Sequence, residues 1–318
     1  MDSLDVRIFR EFVQDRGTYP LQSDIRQSVR KVATKLSVDG ATVRDRIRKM
    51  HESGFMKGWY VFPNPSLFDL GVAHARGNIQ AQSTMKEDAI RKIKLVQGVW
   101  AIVDYFGSSI RVVLYFEDQA SLKKQVELIA RISNSENMLH REIHFPPCAV
   151  TLSEDDLGVV GSILTDPTKS YNAMSNETGL SYKTVKRRLE RMLRGRALFM
   201  IPSLDPRSLS GATLGELLVF YESPEAMRKA NGEIKSHIDG QLMSAQLGDP
   251  EHMLFLLVIT KISQVKEILN WVKQQPGVKS AFLDLVEDRI EQYEAFNQQL
   301  KRKLTQVRSA GRKMLQPA

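Results

Sequence analysis

The feature that most constrains the fold is an internal repeat. Residues 38–50 align without gaps on residues 180–192, with apolar, Thr-Val, basic and Met positions in register. An internal repeat must be recognised before other patterns, because it sets the architecture of the whole chain. We therefore expect two copies of one unit, over residues 1–150 and 151–287, followed by a tail.

Composition narrows the class of protein. The chain has 318 residues, a formal net charge of +8 and a single cysteine, Cys148. One cysteine excludes an internal disulfide and a cysteine-based zinc site. No apolar run reaches membrane-spanning length and no signal-peptide core precedes the repeat, so we expect a cytoplasmic, nucleoid-associated protein. Phosphate-loop, zinc-protease and nucleophile-elbow motifs do not occur in the sequence.

The positive charge is concentrated in particular segments. Residues 1–60 carry a net charge of +4 and residues 151–210 carry +2, whereas residues 211–287 carry −3. A surplus that served only solubility would not alternate in this way. The alternation favours nucleic acid as a partner of the basic segments.

Each copy opens with a helical pattern. Apolar residues at helical spacing predict helices over residues 4–13, 28–36 and 40–50 in the first copy. The corresponding helices of the second copy are expected over 154–165, 172–178 and 181–193, the first of them capped by Ser153 with Asp156. Two helices joined by a turn of three residues indicate a helix-turn-helix. A wing is predicted after each third helix, as a short hairpin over 55–62 in the first copy and over 197–201 in the second.

The rest of each copy changes to a period of two with interspersed helices. The predicted order is βαββαβ, which is the ferredoxin-like arrangement. The first copy should form strands over 71–80, 98–105, 110–116 and 139–145, with helices over 85–95 and 120–132. The second should form strands over 214–221, 241–247, 253–260 and 278–286, with helices over 224–237 and 263–275. Helices on one face of such a sheet leave the other face to pack on a second sheet.

The predicted fold is therefore an α+β chain of two winged helix-turn-helix domains alternating with two ferredoxin-like domains, plus a C-terminal helix. The predicted boundaries are 1–66, 67–150, 151–208, 209–287 and 288–318. The tail has an apolar pattern in alternating steps of four and three, formed by Val286, Ile290, Tyr293, Asn297, Leu300, Leu304 and Val307. Such a pattern indicates either a coiled-coil helix or a helix lying on its own domain.

This architecture resembles the leucine-responsive regulatory protein/AsnC family of transcription regulators. The resemblance rests on residues 32–47, on Gln97-Gly98-Val99 and on Tyr105-Phe106-Gly107. It implies a sequence-specific regulator of double-stranded DNA that is no enzyme, forms a homodimer and needs no cofactor. The duplication is similar to tandem archaeal members, and it leaves open whether the ferredoxin-like sheets pair within one chain or between chains.

The third helix of each copy would enter the major groove. Arg44 and Arg187 are the expected base-reading residues, because arginine bidentate to guanine is the commonest specific contact. The full set of expected DNA-binding residues is Ala41, Thr42, Arg44, Arg46, Arg48, Lys183, Thr184, Lys186, Arg187, Arg188, Arg191 and Arg194.

An effector site is implied by the same resemblance. An amino acid or related small molecule would bind near the loop after the second strand of the ferredoxin-like domain. The residues at that place are Gly107, Ser108, Ser109, Gly248 and Asp249. The first copy lacks the acidic residue that the family usually carries there.

Two alternatives stay open at the level of sequence. An architectural DNA-binding protein would bind basic helices to DNA with little discrimination between sequences. The same pair of modules also resembles the siroheme decarboxylases. These enzymes carry a histidine shortly after a Gly-Val dipeptide, whereas neither Trp100–Tyr105 nor Lys279–Phe282 contains a histidine. His140, His144 and Cys148 are spaced by four, which on a strand separates neighbours by about 13 Å and does not favour a metal site.

Overall fold

The helices of the first half, and its strands from residue 71 onward, follow the predicted order. A computed structural model describes residues 1–14, 22–80, 83–249, 251–292 and 298. In this half the elements are α1 (Ser3–Phe12), β1 (Val13–Gln14), β2 (Gln22–Ser23), α2 (Val29–Leu36), α3 (Gly40–Glu52), β3 (Met56–Pro63), β4 (Gly71–Asn78), α4 (Ser83–Ile93), β5 (Val99–Tyr105), β6 (Ser109–Phe116), α5 (Gln119–Ser133) and β7 (Leu139–Ile143).

The second half continues with a similar series. Its elements are α6 (Glu154–Ile163), α7 (Tyr171–Thr178), α8 (Tyr182–Arg194), β8 (Leu198–Leu204), β9 (Thr213–Tyr221), α9 (Pro224–His237), β10 (Leu242–Asp249), β11 (His252–Ile259), α10 (Ser263–Lys273) and β12 (Val278–Glu291). The described residues thus form a mixed α+β fold with antiparallel sheets.

Side-chain caps fix where the short helices begin. The side chain of Asp2 accepts backbone N–H groups at the start of α1, and Ser28, Asp39 and Ser181 do the same for α2, α3 and α8. The predicted capping box of Ser153 and Asp156 at α6 is confirmed. Three residues separate α2 from α3, as predicted, and three separate α7 from α8, where the predicted bounds left two.

The predicted hairpin over residues 55–62 is wrong. Residues 56–63 form the single strand β3, which pairs antiparallel with β8 of the other half in the register Tyr60↔Ile201 and Val61↔Met200. Each strand is apolar and largely buried, so it satisfies its backbone through a partner rather than by folding back. The resulting β3–β8 ribbon ties the two helical regions to each other.

The remaining eight long strands are hydrogen-bonded in the order β10-β11-β9-β12-β5-β6-β4-β7. The first part of β12 pairs with β9 and its last residues pair with β5, so this strand passes from one four-stranded group to the other. The two four-stranded groups, β10-β11-β9-β12 and β5-β6-β4-β7, also face each other, because Arg111 on β6 contacts Glu216 on β9. The sheets therefore pack against one another within one chain.

The tail differs from its prediction. Val286 and Ile290 lie in β12, which extends to Glu291, so this strand crosses the expected boundary at residue 287 and the C-terminal helix does not begin there. The pairing of Ile290 with Ile102 supplies the backbone partners that hold this segment extended. Tyr293, Asn297, Leu300, Leu304 and Val307 lie outside the described residues.

The helices cover the outer faces of the two four-stranded groups. Ile93 of α4 and Ile129 of α5 pack on Ile102 and Leu114. Ile234 of α9 and Val272 of α10 pack on Leu257 in the same manner. Apolar side chains are thus directed to the helices, and the facing side of the strands is free to carry polar groups. Among the described helices, none combines the length and hydropathy that crossing a membrane requires.

Candidate nucleic-acid interface and the polar space between the sheets

Helices α3 and α8 each present one face to their own domain and the opposite face outward. Val43 and Met50 of α3 are buried, as are Val185, Leu189 and Met192 of α8. These residues recur at helical spacing and pack on the preceding helices. The positions between them are left for polar and basic side chains.

The outward face of α8 is basic. Lys183, Lys186 and Arg187 are exposed, as predicted from the sequence. Among the described residues no carboxylate forms an ion pair with Lys183 or Arg187, and the ammonium of Lys186 lies 3.9 Å from the carboxylate of Glu190. Three cationic groups therefore face outward on this helix with little neutralisation by the chain.

The other basic residues of α8 are held by carboxylates. The guanidinium of Arg188 donates to Asp155 at 2.5 Å and to Asp156 at 3.0 Å, and Arg191 donates to Asp156 at 2.5 Å. Arg194 lies 3.5 Å from the carboxylate of Glu190. Arg188 and Arg191 thus connect α8 to the first turn of α6 through ion pairs.

Asp156 is the buried carboxylate that binds both of these arginines. Its side chain has no exposed surface, and burial alone would raise its pKa. Hydrogen bonds from Ser153, Arg191 and Arg188 outweigh that effect and lower the pKa of Asp156 to about 2. The carboxylate therefore stays charged and holds both arginines at neutral pH.

Helix α3 is closer to neutral on its outward face. The guanidinium of Arg46 contacts Asp2 at 2.6 Å and Asp5 at 3.1 Å in the first turn of α1, as Arg188 contacts the first turn of α6. The carboxylate of Asp45 contacts both Arg48 and Lys49. Of the arginines and lysines of α3, Arg44 is the one without a carboxylate partner among the described residues.

The small residues predicted at this interface lie at the helix starts. Ala41 is exposed, and the hydroxyl of Thr42 donates to its own cap, Asp39, at 2.6 Å. Thr184 lies 2.9 Å from the hydroxyl of the cap residue Ser181. Both threonines are thus arranged alike, in the first turn of the helix.

The two helical regions touch directly as well as through the β3–β8 ribbon. Arg26 donates to the backbone carbonyls of Pro167 and Lys169 and lies 4.4 Å above the ring of Tyr171. Tyr171 in turn packs edge-on against Tyr182, the first residue of α8. The start of α8 is therefore supported by a residue of the first half.

A buried charged cluster that no sequence pattern predicted lies between the two sheets. Arg111 on β6 donates to both carboxylate oxygens of Glu216 on β9, at 2.6 and 2.7 Å. The hydroxyl of Tyr105 donates to Glu216 at 2.5 Å. Burial alone would raise the pKa of Glu216, but the positive charge of Arg111 lowers it below its ordinary value. A signal was present, because Arg111 and Glu216 are the charged residues within otherwise apolar strand segments.

Two histidines extend this cluster. The rings of His74 on β4 and His252 on β11 lie 6.1 Å apart, although no pattern in the sequence brings them together. Burial, followed by the charge of Arg111, lowers the pKa of His74 to about 3. Arg76 on β4 forms an ion pair with Asp284 on β12 nearby.

The free space around this cluster is small. One cavity of about 50 Å³ is lined by Trp100, Arg111, Glu216 and Arg289, among others. A second of about 30 Å³ lies beside His74, Tyr105 and His252. Volumes of this size hold one or a few water molecules.

The residues predicted for an effector lie on two separate turns. The ammonium of Lys86 donates to the carbonyl of Gly107 at 2.6 Å, and the carbonyl of Ser108 accepts from Ile79. The hydroxyl of Ser109 donates to Asn78 at 2.8 Å. Gly248 and Asp249 end β10, and their side-chain surroundings lie outside the described part of the chain.

Comparison with known proteins bears on the fold. No family model and no curated protein sequence matches the chain. The solved structure of the siroheme decarboxylase NirDL matches over 96% of this chain and 98% of its own, at 13% identity and a TM-score of 0.50. Regulators match about 48% of this chain at TM-scores of 0.33: E. coli AsnC at 19% identity over 97% of its length, and an AsnC family regulator from Agrobacterium tumefaciens at 15% over 95%.

The comparison corrects one expectation. The sequence predicted that the chain is no enzyme, and that prediction is contradicted by the likeness to a siroheme decarboxylase along nearly the whole chain. The prediction depended partly on a missing histidine after Gly277-Val278. Gly277-Val278 leads into β12, the last strand of its half, whereas Gly98-Val99 leads into β5, the second long strand of the first-half sheet. The two dipeptides therefore do not lie at equivalent places in the repeat, and the residues after Gly277-Val278 are not the counterpart of those after Gly98-Val99.

Proposed function

We propose that the chain is a sequence-specific DNA-binding transcription regulator. In this proposal α2–α3 and α7–α8 act as helix-turn-helix pairs connected by the β3–β8 ribbon, and the two βαββαβ segments act as ferredoxin-like domains that join the halves. The observation that carries the proposal is the outward face of α8, where Lys183, Lys186 and Arg187 are exposed and little neutralised.

The separation of roles among the basic residues of α8 supports this proposal. Residues that stabilise the fold, Arg188 and Arg191, already have carboxylate partners. By contrast, Lys183, Lys186 and Arg187 are exposed and make no comparable contact with the described residues. Such cations neutralise phosphates and release counterions, which makes binding steeply dependent on salt. Arg187 is in addition long enough to reach base edges in a major groove.

Binding to random genomic fragments over a salt series tests the proposal. The retained fragments are sequenced, and the full-length protein should enrich a shared motif and bind it at least ~10³-fold more tightly than random DNA. Arg187→Ala should weaken binding to the motif by about tenfold or more. Arg228→Ala removes the same charge from an exposed position of α9 and should leave binding unchanged.

Three results would contradict the proposal in different ways. Salt-sensitive binding without an enriched motif would indicate an architectural protein that does not read sequence. Absence of binding at low salt would exclude both forms of DNA-binding protein. Equal losses for Arg187→Ala and Arg228→Ala would remove α8 from the interface.

A second candidate function is an enzyme of the siroheme decarboxylase type. It is favoured by the likeness of fold to NirDL. It is also favoured by the basic side chains between or beside the sheets, which are His74, His252, Arg76, Arg111 and Arg141. A tetrapyrrole is far larger than the two cavities beside these residues, so the sheets would have to separate to admit one there. Titration with siroheme, followed by absorbance and by mass spectrometry for loss of carbon dioxide, tests this. An unchanged spectrum and mass at a large excess of protein would exclude it.

A further inference from the structure

We infer that the DNA target has two unlike halves, one bound strongly by α8 and the other weakly by α3. This inference rests on the proposed function and names the kind of DNA site that the same surface fits. Its basis is the difference in charge between α3 and α8.

The two helices hold different numbers of free cations. Helix α3 has four arginines and lysines and two acidic residues, whereas α8 has six and one. Carboxylates within 3.5 Å engage Arg46, Arg48 and Lys49 in α3, which leaves Arg44. In α8 the engaged residues are Arg188, Arg191 and Arg194, and Lys186 lies 3.9 Å from Glu190, which leaves Lys183 and Arg187 with no carboxylate partner among the described residues.

Equivalent positions of the repeat also differ in charge. In the gapless alignment of residues 38–50 on 180–192, Asp45 of α3 corresponds to Arg187 of α8, so an acid stands where the other copy has its expected base-reading arginine. Ala41 corresponds to Lys183. Arginine pairs with guanine, whereas aspartate accepts a hydrogen bond from cytosine and repels phosphate. The two helices therefore cannot favour the same half-site.

The structure also holds the unlike helices together. The β3–β8 ribbon pairs the strands that follow α3 and α8, and Arg26 of the first half packs on the start of α7. One chain thus carries both helices, connected through the antiparallel strands β3 and β8. A symmetric operator would match only one of them.

The inference is tested on the motif that full-length protein enriches. Each half of the motif is scrambled in turn, and affinities are measured for the wild type, Arg187→Ala, Arg44→Ala and the Arg228→Ala control. For the wild type, scrambling one half should cost about tenfold or more and scrambling the other less than about threefold. The larger penalty should shrink below about threefold in Arg187→Ala and persist in Arg44→Ala.

Salt dependence gives an independent measurement. The slope of log affinity against log salt should fall by about two for Lys183→Ala/Lys186→Ala and by at most about one for Arg44→Ala, since each phosphate contact contributes about 0.9.

The outcomes separate the inference from the function on which it rests. Failure to enrich any motif would refute the proposed function and the inference with it. A two-fold symmetric motif with equal penalties for both halves would overturn the inference alone. A dominant half whose penalty is unchanged in Arg187→Ala but lost in Arg44→Ala would also overturn it, by assigning the strong half-site to α3.

Discussion

Arg111 and Glu216 form a buried bidentate ion pair between opposite halves of the repeat. Nη2 of Arg111 lies 2.6 Å from Oε1 of Glu216, and the two residues are 9% and 3% exposed. The hydroxyl of Tyr105 occupies part of the remaining hydrogen-bonding capacity of the carboxylate. The pair therefore joins the two facing sheets by charge at the place where their apolar contacts are interrupted.

The pair depends on the halves being different. When the alignment of residue 38 with residue 180 is extended along the repeat, the position equivalent to Glu216 is His74. Two first halves facing each other would bury Arg111 against a histidine, without a carboxylate. Duplication within one chain allows this asymmetry, which a symmetric dimer of identical halves could not have.

Glu216→Gln should destabilise the protein by about 3–5 kcal/mol, because it leaves the charge of Arg111 buried and uncompensated. Urea unfolding followed by circular dichroism measures the change in the free energy of unfolding. The double variant Arg111→Met/Glu216→Leu removes both charges and should recover most of that loss, since paired buried charges are often replaced by apolar residues with little cost.

The double variant distinguishes charge from packing. If it is as unstable as Glu216→Gln, shape rather than charge determines the loss. If Glu216→Gln costs less than about 1 kcal/mol, water reaches Arg111 and the pair is not buried in solution.

His74 should make the protein less stable as the pH falls below about 6.5. Burial and the charge of Arg111 lower the pKa of His74 to about 3 in the folded protein. Between pH 6.5 and pH 3 the imidazole is therefore protonated in the unfolded chain and neutral in the folded chain. Stability is full above the unfolded pKa and declines as pH falls toward the folded pKa. The expected loss between pH 6 and pH 3 is at most about 4 kcal/mol.

The comparison of His74→Gln with the wild type measures this loss. The difference in unfolding free energy between the two should change with pH over that window. His140→Gln is the control, because His140 lies on the exposed face of β7 and should follow the wild type. Parallel curves for wild type and His74→Gln would contradict the assignment.

Arg188→Ala should destabilise the protein, whereas Arg187→Ala should leave its stability within about 0.5 kcal/mol of the wild type. Arg188 holds the buried carboxylate of Asp156, while Arg187 faces outward. Losing one of two arginine partners of a buried carboxylate should cost about 1–3 kcal/mol. Thermal unfolding of both variants at neutral pH measures the difference, and equal melting temperatures would contradict it.

Asp156 adds a second acid-sensitive contribution at lower pH. Its pKa is about 2 in the fold and 3.8 for the ordinary group, so its stabilising effect is present above pH 3.8 and is lost as pH falls through about 2. In Arg188→Ala the pKa of Asp156 should rise, which moves the acid unfolding midpoint upward relative to Arg187→Ala.

The sequence predicted what depends on local pattern. The spacing of Val43 and Met50 predicted α3, and Ser153 with Asp156 predicted the capping box of α6, because these interactions join residues close in the chain. The exposure of Lys183 and Arg187 followed from the apolar stripe on the other side of α8. In each case helical periodicity was enough to decide which side of the element is buried.

The errors concern contacts between distant residues. The segment that forms β3 was predicted as a short hairpin over residues 55–62, because its true partner, β8, lies in the other half of the chain. Val286 and Ile290 fit a helical spacing, but pairing with β5 outweighs that weak local preference. The meeting of His74 with His252 depends on how two sheets face each other, which periodicity along one strand does not determine.

Gly98→Ala should destabilise the protein more than Gly107→Ala, although both glycines have φ of +87°. A Cβ at Gly98 would lie 2.4 Å from the carbonyl oxygen of Tyr115, whose backbone N–H donates to Gly98 itself, while a Cβ at Gly107 meets nothing within 4 Å. Gly107→Ala should therefore cost only the strain of the left-handed backbone, about 1 kcal/mol, and Gly98→Ala about 2–3 kcal/mol more, because β5 and β6 must move apart. Urea unfolding of the two variants measures the difference. Equal losses would mean that backbone conformation alone requires glycine at both turns.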